Sequence, residues 1–214
     1  MLEMLSSFIK KLSNKVGFTI FLVIYCVSFY LYFFSDYPFS IKNILPYSTV
    51  NNVSGSHFFY SPETAYEAFN KTGIPDLQFF NSGADIYNTL LNFGFDGRRA
   101  YEHILLADII YPVIYGIFYS ILLTLILKKA FPSNSFIWGF NILPLVATFF
   151  DYVENAAIIQ MIIAFPGKLR NIGSIPGIFT FLKHLFLVAS ELAIVTGLIM
   201  IVFNKIKSKS PAEA

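Results

Sequence analysis

Asp151, Glu154 and Asn155 lie in one apolar stretch, FFDYVENAAI, at spacings of three and four residues. On a helix those spacings place all three side chains on one side, within about 100° of arc. A second apolar stretch carries Lys183, His184 and Glu191. His184 and Glu191 share a helical face, and Lys183 sits about a quarter-turn round. A third stretch supplies Asp108, with Tyr111, Tyr115 and Tyr119 continuing its stripe. Acids gathered in this way could bind a cation, an amine or a lipid headgroup, or pass protons between them. With His184, Asp151 and Glu154 as ligands, they could instead hold a divalent ion that activates water.

Charge balance sharpens the choice. Asp108, Asp151, Glu154 and Glu191 face only Lys183 and His184, and a low-dielectric interior does not sustain such an excess of carboxylates. The cluster therefore requires protons on some acids, a bound cation, or the approach of Arg98, Arg99 or His103 from the rim. Polar side chains that merely join helices are the plain alternative, at about 0.6–2 kcal/mol each.

The elements that must position these residues are long and apolar. Four stretches, Gly17–Phe34, Ile104–Leu127, Phe136–Ala164 and Ile178–Phe203, approach the roughly 20 helical residues that a bilayer core of about 30 Å requires. Composition agrees: 56% of the 214 residues are hydrophobic, 13% are charged, and mean hydropathy is +0.62. The expected fold is an all-α integral membrane protein. It has four transmembrane helices and a small, mostly helical extracytoplasmic cap between the first and second.

The organisation is read as follows. Residues 1–15 form a cytoplasmic amphipathic segment, 16–34 the first span, and 35–103 an extracytoplasmic loop with short helices. Residues 104–205 form a three-helix membrane region, and 206–214 a cytoplasmic tail. The run IFLVIYCVSFYLYFF is long and bulky and is not followed by a small-residue cleavage site, so it reads as an anchor. Lys10, Lys11, Lys15, Lys128, Lys129, Lys205, Lys207 and Lys209 flank one side of the spans and place both termini in the cytoplasm. Asp108, Glu154, Lys183 and His184 then fall in the outer half of the membrane, with Asp151 and Glu191 nearer its middle. Leu2, Leu5, Ile9 and Leu12 recur at helical spacing, which suits either a helix lying in the membrane interface or a solvated helix continuing into the first span.

The loop carries local helix signals. Ser61, Pro62 and Glu63 open a helix that Gly73 ends; Ser82 and Asp85 open another that Gly94 ends. Asp96 reads as the cap of a helix running through Arg98, Arg99 and Glu102 into the second span. Phe58, Phe59, Tyr60, Phe79 and Phe80 suit a cap lying on the bundle mouth. Asn52 and Asn70 head formal glycosylation sequons. Pro112 leaves the Asp108 carbonyl without its helical donor, and Pro144 does the same to Phe140.

Several functions are disfavoured. A net charge of +2 is too small to suggest nucleic acid, and the lone Cys26 forms no intramolecular disulfide. There is no HExxH, phosphate loop, dinucleotide fingerprint or CxxC, and Ser56-His57 lacks a nucleophile elbow. No cofactor is indicated. The arrangement of one span, a long loop and three linked spans is similar to that of claudin-like proteins, but their loop signature of tryptophan and paired cysteines is missing. Small sterol-binding membrane proteins share the architecture alone, so no family is assigned. The favoured function is binding or moving a cation, proton, amine or lipid-like ligand. Its alternatives are a metal-dependent intramembrane hydrolase or lipid-modifying enzyme, and a structural scaffold. Four helices are few for a monomeric transporter, so translocation implies a homo-oligomer.

Overall fold

The computed structural model describes residues 2–33, 75, 82–134, 136–167 and 175–208. Among these, all regular structure is helical and no strand occurs. In chain order the helices are α1 (Leu2–Leu12), α2 (Lys15–Phe33), α3 (Gly83–Asn92), α4 (Gly94–Ala107) and α5 (Tyr111–Ala130). A 3₁₀ turn at Ile137–Ile142 leads into α6 (Leu143–Ile163), and α7 (Ile175–Lys207) is last. The expected helix between Ser61 and Gly73, the aromatic cluster around Phe58 and Phe79, and the sequons at Asn52 and Asn70 lie outside the described residues.

Three stretches are long and apolar enough to cross a membrane: Tyr111–Ala130, Ile137–Ile163 and Ile175–Lys207. The pair α1 and α2 passes the same test only together, and it is bent by 98° at its break. The surface supports a lipid environment. Along α7, Leu185, Leu192, Val195, Ile199, Val202 and Phe203 are all exposed. So continuous an apolar surface is unfavourable in water and suited to acyl chains.

Two compact units divide the chain: Met1–Tyr25, Val113–Thr148 and Lys183–Ala214 form one; Cys26–Pro112 and Phe149–Leu182 form the other. In the first, Phe118 stacks on Tyr25 and Phe18, and the buried Ile121, Leu123, Ile126 and Leu127 form the inner face of α5. Gly197 on α7 lets the Ile126 side chain approach to where a Cβ would sit, 2.4 Å away. Small residues commonly permit such close helix contacts in membranes. Asn14 ends α1 and caps α2, its Oδ1 accepting from the Gly17 amide at 2.9 Å. The N-terminal helix thus turns sharply at Ser13–Asn14 and does not continue straight into α2.

The second unit has its own apolar core. Ile86, Leu90 and Phe93 from α3, Ala100, Tyr101, Ile104 and Leu105 from α4, and Ile158 and Met161 from α6 are all buried together. The described end of the long loop therefore forms no separate core of its own. It shares one with a membrane-class helix. Ser82 and Asp85 make the reciprocal capping box read from the sequence: the Asp85 amide donates to Ser82 Oγ at 3.2 Å, and the Ser82 amide donates to Asp85 Oδ2 at 2.9 Å. Gly94, at φ +64°, supplies the left-handed turn after α3. The next helix starts at Gly94 itself, two residues ahead of the expected cap at Asp96.

The capping box has a measurable signature. The Ser82 hydroxyl, then its amide, hold the Asp85 carboxyl below its usual value. Stability from this group is thus present above the unfolded carboxylate value, about 3.9. It is lost as pH falls through the lowered folded value. We expect Ser82→Ala to cost about 1 kcal/mol. It should also raise amide exchange through α3 at neutral pH to the level that the unaltered protein reaches only in acid.

Candidate functional site

The second unit brings together most of the acids singled out by sequence. Asp108 does not lie inside a continuous span. It is the C-cap of α4, and the chain turns through Ile109 and Ile110 before α5 begins at Tyr111. The expected span Ile104–Leu127 is thus corrected to an α5 starting seven residues later, and the stripe from Asp108 through the tyrosines is broken. Pro112 is the physical reason. Its ring carries no amide hydrogen and clashes with a helical carbonyl one turn back, but it is tolerated in the first turn of a new helix.

The break exposes backbone carbonyls in apolar surroundings, and α6 supplies the remedy. The Tyr152 hydroxyl donates to the Ile109 carbonyl. One turn further along α6, Asn155 Nδ2 donates to Asp108 Oδ2 at 2.8 Å. Between them, Glu154 accepts from the Thr180 hydroxyl of α7 at 2.6 Å through Oε1. Asp108, Asp151 and Glu154 are 6%, 5% and 0% exposed. Three carboxyl groups are therefore buried in one unit, two of them held by neutral donors from different helices. Asn155 Oδ1 is also buried and has no hydrogen-bond partner among the described residues.

The remaining candidates belong to the first unit. Lys183 is buried, three residues along α7 from Thr180. His184 is half-buried. Glu191 is exposed, close enough to Tyr119 to act on it electrostatically, so it lies outside the buried set that the sequence reading gave it. The rim arginines are committed elsewhere. Arg98 donates to the Leu90 carbonyl at 2.9 Å and lies 3.9 Å from the centre of the Phe165 ring, while Arg99 pairs with Glu102 at 3.0 Å. Burial is the main influence on the Arg98 guanidinium and lowers its pKa, with Tyr87 opposing. Its contacts make it a tie between α3, α4 and the end of α6, rather than a counter-charge for the acids.

The expected metal set of His184, Asp151 and Glu154 is not supported by geometry: among the described residues, no three His, Cys, Asp or Glu are arranged to hold a metal ion. Two participants escaped the sequence reading, Thr180 and Tyr152. Both are uncharged, and a search for ionisable side chains passes over them. Their only sequence signal is position, Thr180 one turn before Lys183 and Tyr152 next to Asp151.

The first unit holds a second polar junction that was also missed. Asn141, 0% exposed, accepts from Ser6 Oγ at 2.8 Å and donates to Thr124 Oγ1 at 3.0 Å and to the Ser6 carbonyl at 3.3 Å. Trp138, expected inside the membrane, is half-buried in the 3₁₀ turn with its indole nitrogen donating to the Phe131 carbonyl at 3.0 Å. Pro144 falls in the first turn of α6, so it marks the change from 3₁₀ to α-helix rather than a kink.

The class that emerges is an all-helical protein with apolar helices suited to a membrane and with buried acidic residues. No family model, curated protein or solved structure matches the chain.

The hydrogen bonds to the acids can be weighed by double substitution. Thr180→Val removes a hydrogen-bond donor from a buried carboxyl group and should cost about 1–3 kcal/mol. Asp108→Ala and Asn155→Ala should show a coupling of about 1 kcal/mol in a double-mutant cycle followed by denaturation in detergent. Additive losses would mean that the pair does not interact.

Proposed function

We propose that the chain is a four-span membrane protein with its lysine-rich end in the cytoplasm. On this reading Asp108, Asp151 and Glu154 are buried acids that reversibly take up a proton or bind an amine. The observation that carries the proposal is Glu154, a carboxyl group fully buried among apolar helices that accepts a hydrogen bond from the Thr180 hydroxyl. Helix joining alone does not require an acid. Asn141 joins α1, the 3₁₀ turn and α5 in the first unit through a neutral amide, without the desolvation cost of a carboxylate. Three acids buried in an apolar bundle are better accounted for by what only an acid does: exchange a proton, or balance a positive charge. Lys183, His184 and Glu191 on α7 are further titratable candidates for the same function.

Topology follows from charge. Lys128 and Lys129 close α5, and Lys205 and Lys207 close α7. The positive-inside tendency assigns that end to the cytoplasm. Translocation, as opposed to binding, would call for a homo-oligomer.

A second reading, polar residues as helix glue, is favoured by the interhelical bonds from Thr180 and Asn155 themselves. The two separate in one experiment on full-length protein in nanodiscs. A bound ligand stabilises in proportion to its saturation, by about 2.7 kcal/mol at a hundredfold excess over Kd. For binding, the melting temperature should rise with added methylammonium chloride or shift with pH. Glu154→Gln and Asp108→Asn should flatten that dependence while leaving the protein monodisperse. Glue predicts a uniform loss of stability in these variants with the dependence unchanged. A wild-type protein indifferent to pH and methylammonium would refute the binding site.

A further inference from the structure

The amphipathic α1 and the lysines around it form a surface with a definite geometry. Residues on a helix advance by about 100°, and α1 resolves into three faces. Ser6 and Ile9 are buried, with Ser6 bonded to Asn141. Met4, Leu5 and Phe8 form an exposed apolar face. Glu3, Ser7, Lys10 and Lys11 make the polar side. The groove where apolar and polar sides meet is bordered by Met4 and Phe8 together with Glu3, Ser7 and Lys11.

Tertiary contacts collect positive charge at the same end of the first unit. Asn204 of α7 donates to the Ala130 carbonyl at the end of α5, at 2.9 Å. Lys128 lies 5.9 Å from the Trp138 ring, and Asn141, three residues on, holds α1. Lys10, Lys11, Lys15, Lys128, Lys129, Lys205 and Lys207 are thereby gathered; Glu3 is the one acid on α1, and α5 has none. The helix α1 is turned by 98° from α2, so a helix following a membrane-crossing α2 direction would be met by an α1 lying in the membrane plane.

We infer that α1 lies in the interfacial layer of the lysine-side leaflet and binds anionic lipid headgroups. Met4, Leu5 and Phe8 enter the acyl boundary, and Lys10 and Lys11 meet the headgroup charge. Each surface property has its counterpart in that one partner. The apolar face is too small and too closely bordered by lysine to suit a wholly apolar surface, and amphipathic helices with this distribution bind where acyl chains and anionic headgroups meet. Ser6–Asn141 fixes which face remains for the lipid. The inference rests on the chain being a membrane protein but not on the acidic site, which stays intact in every protein used to test it.

The test places an environment-sensitive fluorophore at Met4→Cys or, for contrast, at Ser7→Cys, each in full-length protein carrying Cys26→Ser. Nanodiscs contain phosphatidylcholine alone or phosphatidylcholine with phosphatidylglycerol. The expected result is blue-shifted emission from position 4, shifted further by phosphatidylglycerol, with position 7 remaining wet. Lys10→Glu combined with Lys11→Glu should abolish the response to phosphatidylglycerol. A position 4 as wet as position 7, or a response that survives charge reversal, would overturn the inference.

Discussion

A backbone carbonyl that loses its helical donor needs another partner, the more so where acyl chains rather than water surround it. In the second unit this requirement arises at Pro112 and organises what surrounds it. The chain stops being helical at Asp108, and Ile109 is left to be satisfied from outside its own helix. Tyr152 supplies that bond, and Asn155, one turn away on the same helix, holds the Asp108 side chain. These two bonds set the register of α6 against the break. In that register Asp151 and Glu154 are carried into the interior together.

The first unit meets a related requirement with different chemistry. Its irregular stretch, the 3₁₀ turn at Ile137–Ile142, has one fully buried polar side chain, Asn141, and every bond given to it is with a neutral group. That junction ties α1 to α5 without burying a charge. The contrast is informative: hydroxyls and amides serve where the task is cohesion, while carboxyls are retained beside the break at Asp108. Acid where amide would join helices equally well is the physical basis for the proposed acidic site at one junction and not at the other.

Much of the architecture was legible from the residues. The capping box at Ser82 and Asp85 follows from local backbone needs, and the structure reproduces it bond for bond. The one-sided spacing of Asp151, Glu154 and Asn155 also held, with all three buried. Other readings failed for reasons that lie outside local sequence. Asp96 looked like a cap, but the left-handed Gly94 had already turned the chain into the next helix. Arg98 looked like a counter-charge for the acids, yet the ring of Phe165 and the carbonyl of Leu90 hold it elsewhere. Glu191 shared a face with His184 by arithmetic, but it is exposed where the histidine is half-buried.

The residues alone determined the all-helical, apolar character of the protein and some helix ends, such as the capping box at Ser82, because hydrophobic length and capping groups act over a few neighbouring positions. They also determined which side chains were available for chemistry. Tertiary structure decided which of those are buried and by whom they are held: Thr180 on Glu154, Asn155 on Asp108, Asn141 on Ser6. Such pairings join positions 26, 47 and 135 residues apart. They depend on how helices are turned about their axes, a choice made by the packing of whole faces and invisible to any short window of sequence.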